Sequence, residues 1–258
     1  MKRTPLFFLI AFLMSAAAAA MDGETVFQAG PARNTLVQVF TSDASAHCNP
    51  VLDWMTAQSV KDPKSVLWKT FVPVALHTSL WDGEGHKDSS AKPEFDKMLA
   101  DYKALWRVGK LYPPTVATNG IEWSGWSRDQ GVPPDVDEVT GVLTVSASGE
   151  PGAFSALFKP EGILKGEVLT FHACLLVFGQ RSKPSDGRNR GKSLQHEFLV
   201  RQYRTEDFRL AREGLVGQVQ MNMPKIPRSS ERYGVAFWVT KKDSIVPVQA
   251  AGGFLRYE

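Results

Sequence analysis

A short apolar run followed by helix-capping side chains places the strongest constraint on how this chain folds. Thr35 to Phe40 (TLVQVF) is β-branched and apolar, which is typical of a buried strand. Residues 41–45 then supply Thr, Ser, Asp, Ala and Ser, and Pro50 precedes apolar positions at helical spacing. The pattern predicts a strand that ends near Phe40 and a helix that begins within two residues of Cys48.

The rest of the first half alternates strand and helix signals. Phe71 to Leu76 is strand-like, and Pro93 opens an apolar stripe at helical spacing that Gly109 ends. Thr115 to Thr118 is again strand-like, and Asn119-Gly120 is a strong hairpin signal. This order of strand, helix, strand, helix, strand and hairpin predicts an α/β domain with a central mixed sheet.

The second half has a strand pattern throughout. Glu167 to Phe178 alternates, so that Leu169, Phe171, Ala173, Leu175 and Val177 share one face and Thr170, His172, Cys174 and Leu176 the other. Further strand-like runs are 215–223, 233–240 and 244–248. We expect an antiparallel, sandwich-like domain over residues 141–258, after an α/β domain over residues 21–140.

The N-terminus has the three parts of a secretory signal peptide. Lys2 and Arg3 precede an apolar run from Leu6 to Met14, and an alanine block ends at Ala20. The run is too short to span a bilayer, so we expect cleavage of residues 1–20 and a periplasmic or secreted protein with no stable membrane insertion after processing. The alternative is an uncleaved N-terminal anchor.

Charge argues against a nucleic-acid partner. Without Lys2 and Arg3, the chain has 28 basic and 27 acidic side chains, whereas nucleic-acid binders usually carry a basic excess. The run from Gly187 to Ser193 has three residues between its glycines where a phosphate-binding loop has four, so it is interpreted as a basic hairpin. No cofactor is predicted, and an exported protein or peptide is the expected partner.

Four motifs resemble a known family. VFTSDASAHCNP, LHTSLWDGEGHKD, LYPPTVATNG and DGRNRGKSLQH occur in this order between about residues 36 and 200. They resemble a secreted, thioredoxin-like family known only as domain-of-unknown-function family twelve-twenty-three. That family typically has a CxxC pair followed by proline; here Ser45 stands in the first position and Cys48 in the second. The short helix typical of the family after the hairpin is not predicted by residues 124–134.

The altered motif, Ser45-Ala46-His47-Cys48, is open to three interpretations. The two-thiol cycle of thioredoxins cannot close without the first cysteine. Ser45 could be a helix cap and Cys48 a buried apolar residue. Alternatively, Ser-x-x-Cys resembles the Thr-x-x-Cys of peroxiredoxins, in which the cysteine is oxidised to sulfenic acid. A third interpretation is a soft-metal site for copper or zinc, formed by His47, Cys48, His77 and His86.

The resemblance also suggests binding residues around the motif. Pro114 resembles the cis-proline that faces the redox motif in thioredoxin folds and leaves the backbone of Pro113 free to pair with an extended partner. Trp81 and Asp82, with Lys87 and Asp88, could form a charged rim. The expected function is therefore that of an exported thioredoxin-like protein, redox-related or degenerate, acting through a groove around Cys48. The alternatives are a non-catalytic binding module for a protein partner or a soft-metal-binding protein.

The candidate residues fall into two groups. The catalytic candidates are Cys48, Ser45 and His47, whereas the binding candidates are Pro114, Pro113, Trp81, Asp82 and His77. Whether the protein is an enzyme stays open. We expect Cys48 and Cys174 to remain unpaired, because they belong to different candidate domains.

Overall fold

A computed structural model describes most of the chain after the predicted signal peptide. The described residues are 25–59, 66–128, 131–134, 136–147, 150–224 and 232–255, with only the backbone described at Glu84 and Ile163. The predicted signal peptide over residues 1–20 lies outside this part. Among the described residues, none of the helices is both long and apolar enough to cross a membrane.

The first half contains the predicted alternation of strands and helices. Its elements are β1 (Val26–Ala29), β2 (Thr35–Thr41), α1 (Asn49–Ser59), β3 (Phe71–His77), α2 (Pro93–Leu105), β4 (Thr115–Thr118) and β5 (Ile121–Glu122). A 3-10 turn, Ala46–Cys48, leads directly into α1. The predicted strand end near Phe40 and helix start near Cys48 are confirmed.

Two local expectations are corrected. The second helix ends at Leu105 rather than near Gly109, because Arg107 adopts a positive φ of 55° that a helix cannot continue through. After the hairpin, the chain forms a short 3-10 helix, Gly125–Arg128, which the sequence pattern did not predict.

The second half is built from strands, as expected. They are β6 (Gly141–Ala147), β7 (Ala153–Pro160), β8 (Leu169–Phe178), β9 (Gln180–Ser182), β10 (Leu194–His196), β11 (Leu199–Asp207), β12 (Arg209–Leu210), β13 (Leu215–Gln220), β14 (Arg232–Lys241) and β15 (Pro247–Phe254). In the run predicted at 244–248, residues 244–246 are irregular and the strand begins at Pro247.

The described strands form β-rich, mixed sheets that cross the expected domain boundary. The eight-stranded sheet has the order β15-β14-β8-β11-β3-β2-β4-β5, and the five-stranded sheet has the order β1-β6-β7-β13-β12. Strands β11 and β3 are parallel neighbours, and the Ala75 N–H donates to the Phe198 carbonyl at 2.9 Å. Strand β1 pairs with β6 of the second half. The boundary at residue 140 remains a prediction.

The central strands of the eight-stranded sheet are buried on both faces. The alternation in β8 sends Phe171, Ala173 and Leu175 into a core shared with the five-stranded sheet. Cys174, Leu176 and Phe178 lie in the core on the opposite face, which also contains apolar residues of α1 and α2. Burial on both faces explains why β2 and β3 are almost uninterrupted apolar runs.

The topology brings three chain segments to one edge of the sheet. Strands β2 and β3 are parallel, with Thr41 opposite His77, so their carboxyl ends meet there. Strand β4 is antiparallel to β2, with Thr115 opposite Phe40, so the segment before β4 arrives at the same edge. This edge carries the altered motif and most of the candidate site residues.

Candidate functional site

The Cys48 thiol is enclosed at the junction between β2 and α1. Its side chain is 0% exposed, and burial raises the pKa of the thiol to about 11, although neighbouring hydroxyl and backbone groups favour the thiolate. His47, one residue earlier, is exposed. A reactive cysteine requires a sulfur that is accessible and largely ionised at neutral pH. The Cys48 sulfur is neither.

Ser45 does not cap the helix through its side chain. It is buried at the start of the 3-10 turn, and its backbone carbonyl accepts a hydrogen bond from the Cys48 N–H at 3.1 Å. Its hydroxyl makes no capping hydrogen bond. The expected side-chain cap is thus replaced by a backbone turn, and Ser45 lies beside the thiol instead.

His77 forms a buried ion pair with Asp88. Nδ1 of His77 lies 2.7 Å from Oδ2 of Asp88, and both side chains are at most 1% exposed. Burial alone would lower the pKa of His77, but the charge and hydrogen bond of Asp88 outweigh it and raise that pKa. Burial likewise opposes ionisation of Asp88, yet His77 and the backbone N–H groups of Asp43 and Ser90 lower its pKa to about 2.

His196 and Asp43 complete a buried cluster with His77. His196 ends β10, and its Nε2 lies 2.8 Å from the Ser182 hydroxyl and 3.4 Å from Oδ1 of Asp43. Burial, together with the nearby His77, lowers the pKa of His196 to about 4, so the ring is neutral at pH 7. One ring nitrogen of each histidine and one oxygen of Asp43 lie within 4.8 Å of one another.

The loop between β9 and β10 closes over this cluster. The Asn189 side chain is buried; it donates to the Asp43 carbonyl at 3.0 Å and exchanges hydrogen bonds with the Asn49 side chain. Gly85 approaches Gly187 so closely that a Cβ at position 85 would lie 3.2 Å from the Gly187 nitrogen. Two loops from different halves of the chain therefore meet above the altered motif.

Pro113, Pro114 and Trp81 lie together beside the motif. The Pro113–Pro114 bond is cis, as expected. Pro113 has no N–H, and its carbonyl accepts a hydrogen bond from the Trp81 indole at 3.1 Å. The Pro113 carbonyl thus already accepts one hydrogen bond, and pairing of this backbone with an extended partner stays a prediction. The Trp81 ring also contacts that of Tyr112, with centroids 5.4 Å apart.

The remaining candidates have separate roles. Asp82 is half-buried, and its Oδ1 accepts a hydrogen bond from the Asp88 N–H at 3.0 Å, so it positions the partner of His77. Lys87 is exposed and His86 is half-buried. A pocket of about 780 Å³ between α2 and the ends of β8 and β14 is lined by none of the predicted site residues.

Comparison with known proteins identifies the family. The family described as "Protein of unknown function (DUF1223)" matches residues 36–240. The chain belongs to this family. Among curated proteins, none matches.

Two solved structures are similar to this member of the DUF1223 family. Protein AGR_C_4864 from Agrobacterium tumefaciens is 15% identical, with a TM-score of 0.53 over 88% of this chain and 96% of that one. HBP35 of Porphyromonas gingivalis is 14% identical, with a TM-score of 0.56 over 88% of this chain and 76% of that one. At such identity the likeness concerns the fold alone.

Sequence reasoning missed two members of the cluster. The sequence pattern presents Asp43 only as a capping residue and does not mark His196 as a site residue. The signal for His196 was present, because the fourth motif of the DUF1223 resemblance, DGRNRGKSLQH, ends at this residue. Among the described residues, the structure groups His77 with Asp43 and His196 rather than with His47, Cys48 and His86.

Proposed function

We propose that this chain is an exported, thioredoxin-like protein that binds a protein partner beside the altered SxxC motif and does not exchange disulfides. The order of strands and helices, the cis-proline before β4 and the motif at the β2–α1 junction support the thioredoxin-like assignment. The N-terminal signal-like sequence supports export.

Burial of Cys48 is the observation that favours partner binding over thiol chemistry. A thiol that attacks a disulfide or a peroxide must be accessible and largely ionised, whereas the pKa of Cys48 is raised to about 11 in an enclosed position. With Ser45 in the first position, the motif has no second thiol to resolve a mixed disulfide. Both the two-cysteine and the one-cysteine mechanisms are therefore disfavoured.

An exposed apolar patch next to the motif offers a binding surface. Leu80 is 46% exposed and Tyr112 is 50% exposed, with the half-buried Trp81 ring against Tyr112. The indole N–H is already satisfied by Pro113, so Trp81 is held in a fixed orientation. Rigid aromatic anchors of this kind contribute much of the affinity at protein interfaces.

A basic loop lies beside this patch and suggests the charge of the partner. The loop over residues 181–192 carries five exposed basic side chains: Arg181, Lys183, Arg188, Arg190 and Lys192. It contacts the loop that follows Trp81 through Gly85 and Gly187. Apolar anchors bordered by positive charge fit a partner with an apolar segment flanked by acidic residues.

Site-specific crosslinking tests the proposal. Tyr112 is replaced by a photocrosslinking aromatic amino acid, and the purified protein is irradiated with a cell-envelope extract of the source organism. We expect one reproducible adduct whose yield falls when Trp81→Ala is added, because an anchor is lost, and falls at high salt, because the basic loop is screened. Cys48→Ser should leave the yield unchanged.

Leu210 supplies the matched control. It is 85% exposed on β12 of the five-stranded sheet and is remote in sequence from the patch. The same crosslinker at Leu210 should not give the adduct. An adduct that forms equally at Leu210, or one that requires the Cys48 thiol, contradicts the proposed surface.

A further inference from the structure

Asp43, His77 and His196 come from three separate segments and meet in the interior. Asp43 lies in the turn after β2, His77 ends β3 and His196 ends β10. Each residue is at most 3% exposed, and the two imidazole rings have centroids 5.1 Å apart. Titratable side chains seldom cluster in a protein interior unless a binding partner offsets the free-energy cost of removing them from water.

One polar atom of each residue in this cluster lacks a hydrogen-bond partner. These buried atoms are Oδ1 of Asp43, Nε2 of His77 and Nδ1 of His196. Oδ1 of Asp43 lies 3.4 Å from Nε2 of His196, but the contact lacks hydrogen-bond geometry. Because an unsatisfied buried polar group costs about 1–3 kcal/mol, three in one cluster indicate that a bound partner is missing. An ion that binds His77 must displace the proton that Asp88 favours on its ring.

Each imidazole has one hydrogen-bonded nitrogen and one without a partner, and the nitrogens that lie 3.9 Å (His77) and 3.4 Å (His196) from Oδ1 of Asp43 are the hydrogen-bonded ones. Nδ1 of His77 pairs with Asp88, and Nε2 of His196 pairs with the Ser182 hydroxyl. Histidines that bind metal ions usually engage their other nitrogen in this way, with a carboxylate as a common partner. The Asp88 N–H is in turn bound by Asp82, so the surrounding shell is itself ordered.

We propose that Asp43, His77 and His196 form a binding site for a divalent transition-metal ion. Two imidazoles and one carboxylate are the protein ligands of many zinc sites and of other borderline divalent ions. Cys48 is not part of the cluster, so the donor set lacks the thiolate that a Cu(I) site would favour. The inference goes beyond partner binding and needs neither Trp81 nor Tyr112.

Such an ion would join the two halves of the chain. Asp43 and His77 precede the expected boundary at residue 140, and His196 follows it. In the described structure, the Asn189 side chain, in the loop between β9 and β10, already donates a hydrogen bond to the carbonyl of Asp43. A bound ion would add a second connection at this edge and stabilise the folded chain by binding it preferentially.

Zinc titration of the tag-free chain, stripped with a chelator, tests the site. Isothermal titration and metal analysis after dialysis should give one Zn²⁺ per chain, and zinc should raise the melting temperature. Asp43→Asn and His196→Gln should each weaken binding roughly tenfold or more, while circular dichroism reports the native fold.

Two other histidines provide matched controls. His172→Gln removes a histidine whose ring nitrogens are both hydrogen-bonded, to Tyr203 and Thr240, and His47→Ala removes an exposed one. Both variants should retain one Zn²⁺. Binding that survives Asp43→Asn and His196→Gln but disappears in His47→Ala overturns the proposal, as does a wild-type chain with no stoichiometric binding.

If Asp43→Asn and His196→Gln do not fold, cobalt spectroscopy of the wild-type chain tests which residues bind the ion. Co²⁺ in the proposed site should show visible d–d absorption and no thiolate charge-transfer band. A strong thiolate band would place the ion at Cys48 and contradict the proposed ligands, and so would the lack of any d–d absorption.

Discussion

At the scale of single residues, His77 and Asp88 form an ion pair in the interior. Both side chains are buried, and each holds the other in its charged form. Asp88→Asn should lower the free energy of unfolding by about 1–3 kcal/mol, because it breaks a buried ion pair and leaves buried polar groups with weaker partners. Urea unfolding at pH 7 in the presence of a chelator measures this difference.

An exposed ion pair gives the control for this prediction. Asp101 pairs with Lys97 at 2.6 Å on the surface of α2. Asp101→Asn should cost at most about 1 kcal/mol, since exposed pairs are well solvated when separated. Equal losses for the two variants would mean that burial of the His77–Asp88 pair does not matter.

His172 should make stability depend on pH. Burial lowers the pKa of His172 to about 3, and its ring stacks on Trp238. Below pH 6.5 the His172 imidazole binds a proton in the unfolded chain but not in the folded chain, so acidification towards pH 3 favours unfolding. This one group contributes a loss of up to about 1.4 kcal/mol per pH unit over that window.

His172→Gln removes this contribution and should flatten the curve. Unfolding free energies of the wild-type chain and the variant are compared at pH 7, 6, 5 and 4, again with chelator. His47→Gln, which alters a histidine that solvent reaches in the folded chain, is the control and should follow the wild type. A parallel curve for His172→Gln would show that His172 titrates normally in the folded chain.

At the scale of elements, the hairpin between β4 and β5 is fixed by its two turn residues. Asn119 and Gly120 have φ values of 47° and 91°, and a Cβ on Gly120 would lie 2.9 Å from Cγ1 of Val246. Gly120→Ala should therefore lower the free energy of unfolding by about 1–2 kcal/mol from the positive φ, with crowding in addition. Thermal or urea unfolding checks it.

Gly109→Ala is the companion variant for the hairpin. Gly109 is exposed, and a Cβ there would meet nothing within 4 Å. Its replacement should change stability by at most about 0.5 kcal/mol. If both alanine variants were equally stable, the turn would not require glycine.

Elements set by local signals were predictable, and those set by distant pairing were not. Pro50 and the apolar spacing after it located α1, and Asn119-Gly120 located the hairpin, because these signals lie within a few residues. Strand β1 has only four residues and owes its place to pairing with β6, more than a hundred residues away. No local sequence pattern predicts such a long-range strand pairing.

The candidate site shows the same division. The sequence drew attention to His77 and Cys48, since both lie at ends of predicted elements. It did not bring His196 to His77, because that contact depends on β10 folding back over α1 with the Asn189 loop. Nor did it predict how deeply Cys48 is enclosed, which follows from packing rather than from the motif.

At the scale of the whole molecule, the fold encloses both cysteines as free thiols. Cys48 and Cys174 are unpaired thiols in the described structure, and Cys174 lies inside the eight-stranded sheet, where burial raises its pKa. Their protection depends on the complete fold, because α1 and the core strands on both sides of the expected boundary enclose them. Thiol reactivity therefore reports on both the fold and the proposed function.

Thiol titration of the protein, prepared without reductant, measures how well the fold protects both cysteines. The native chain at pH 7 should react slowly with a thiol reagent, and peroxide should give no sulfenic acid that dimedone traps at Cys48. After denaturation, two thiols should react at once. One fast thiol in the native chain, lost in Cys48→Ser, would contradict the account and restore one-cysteine chemistry as the leading function.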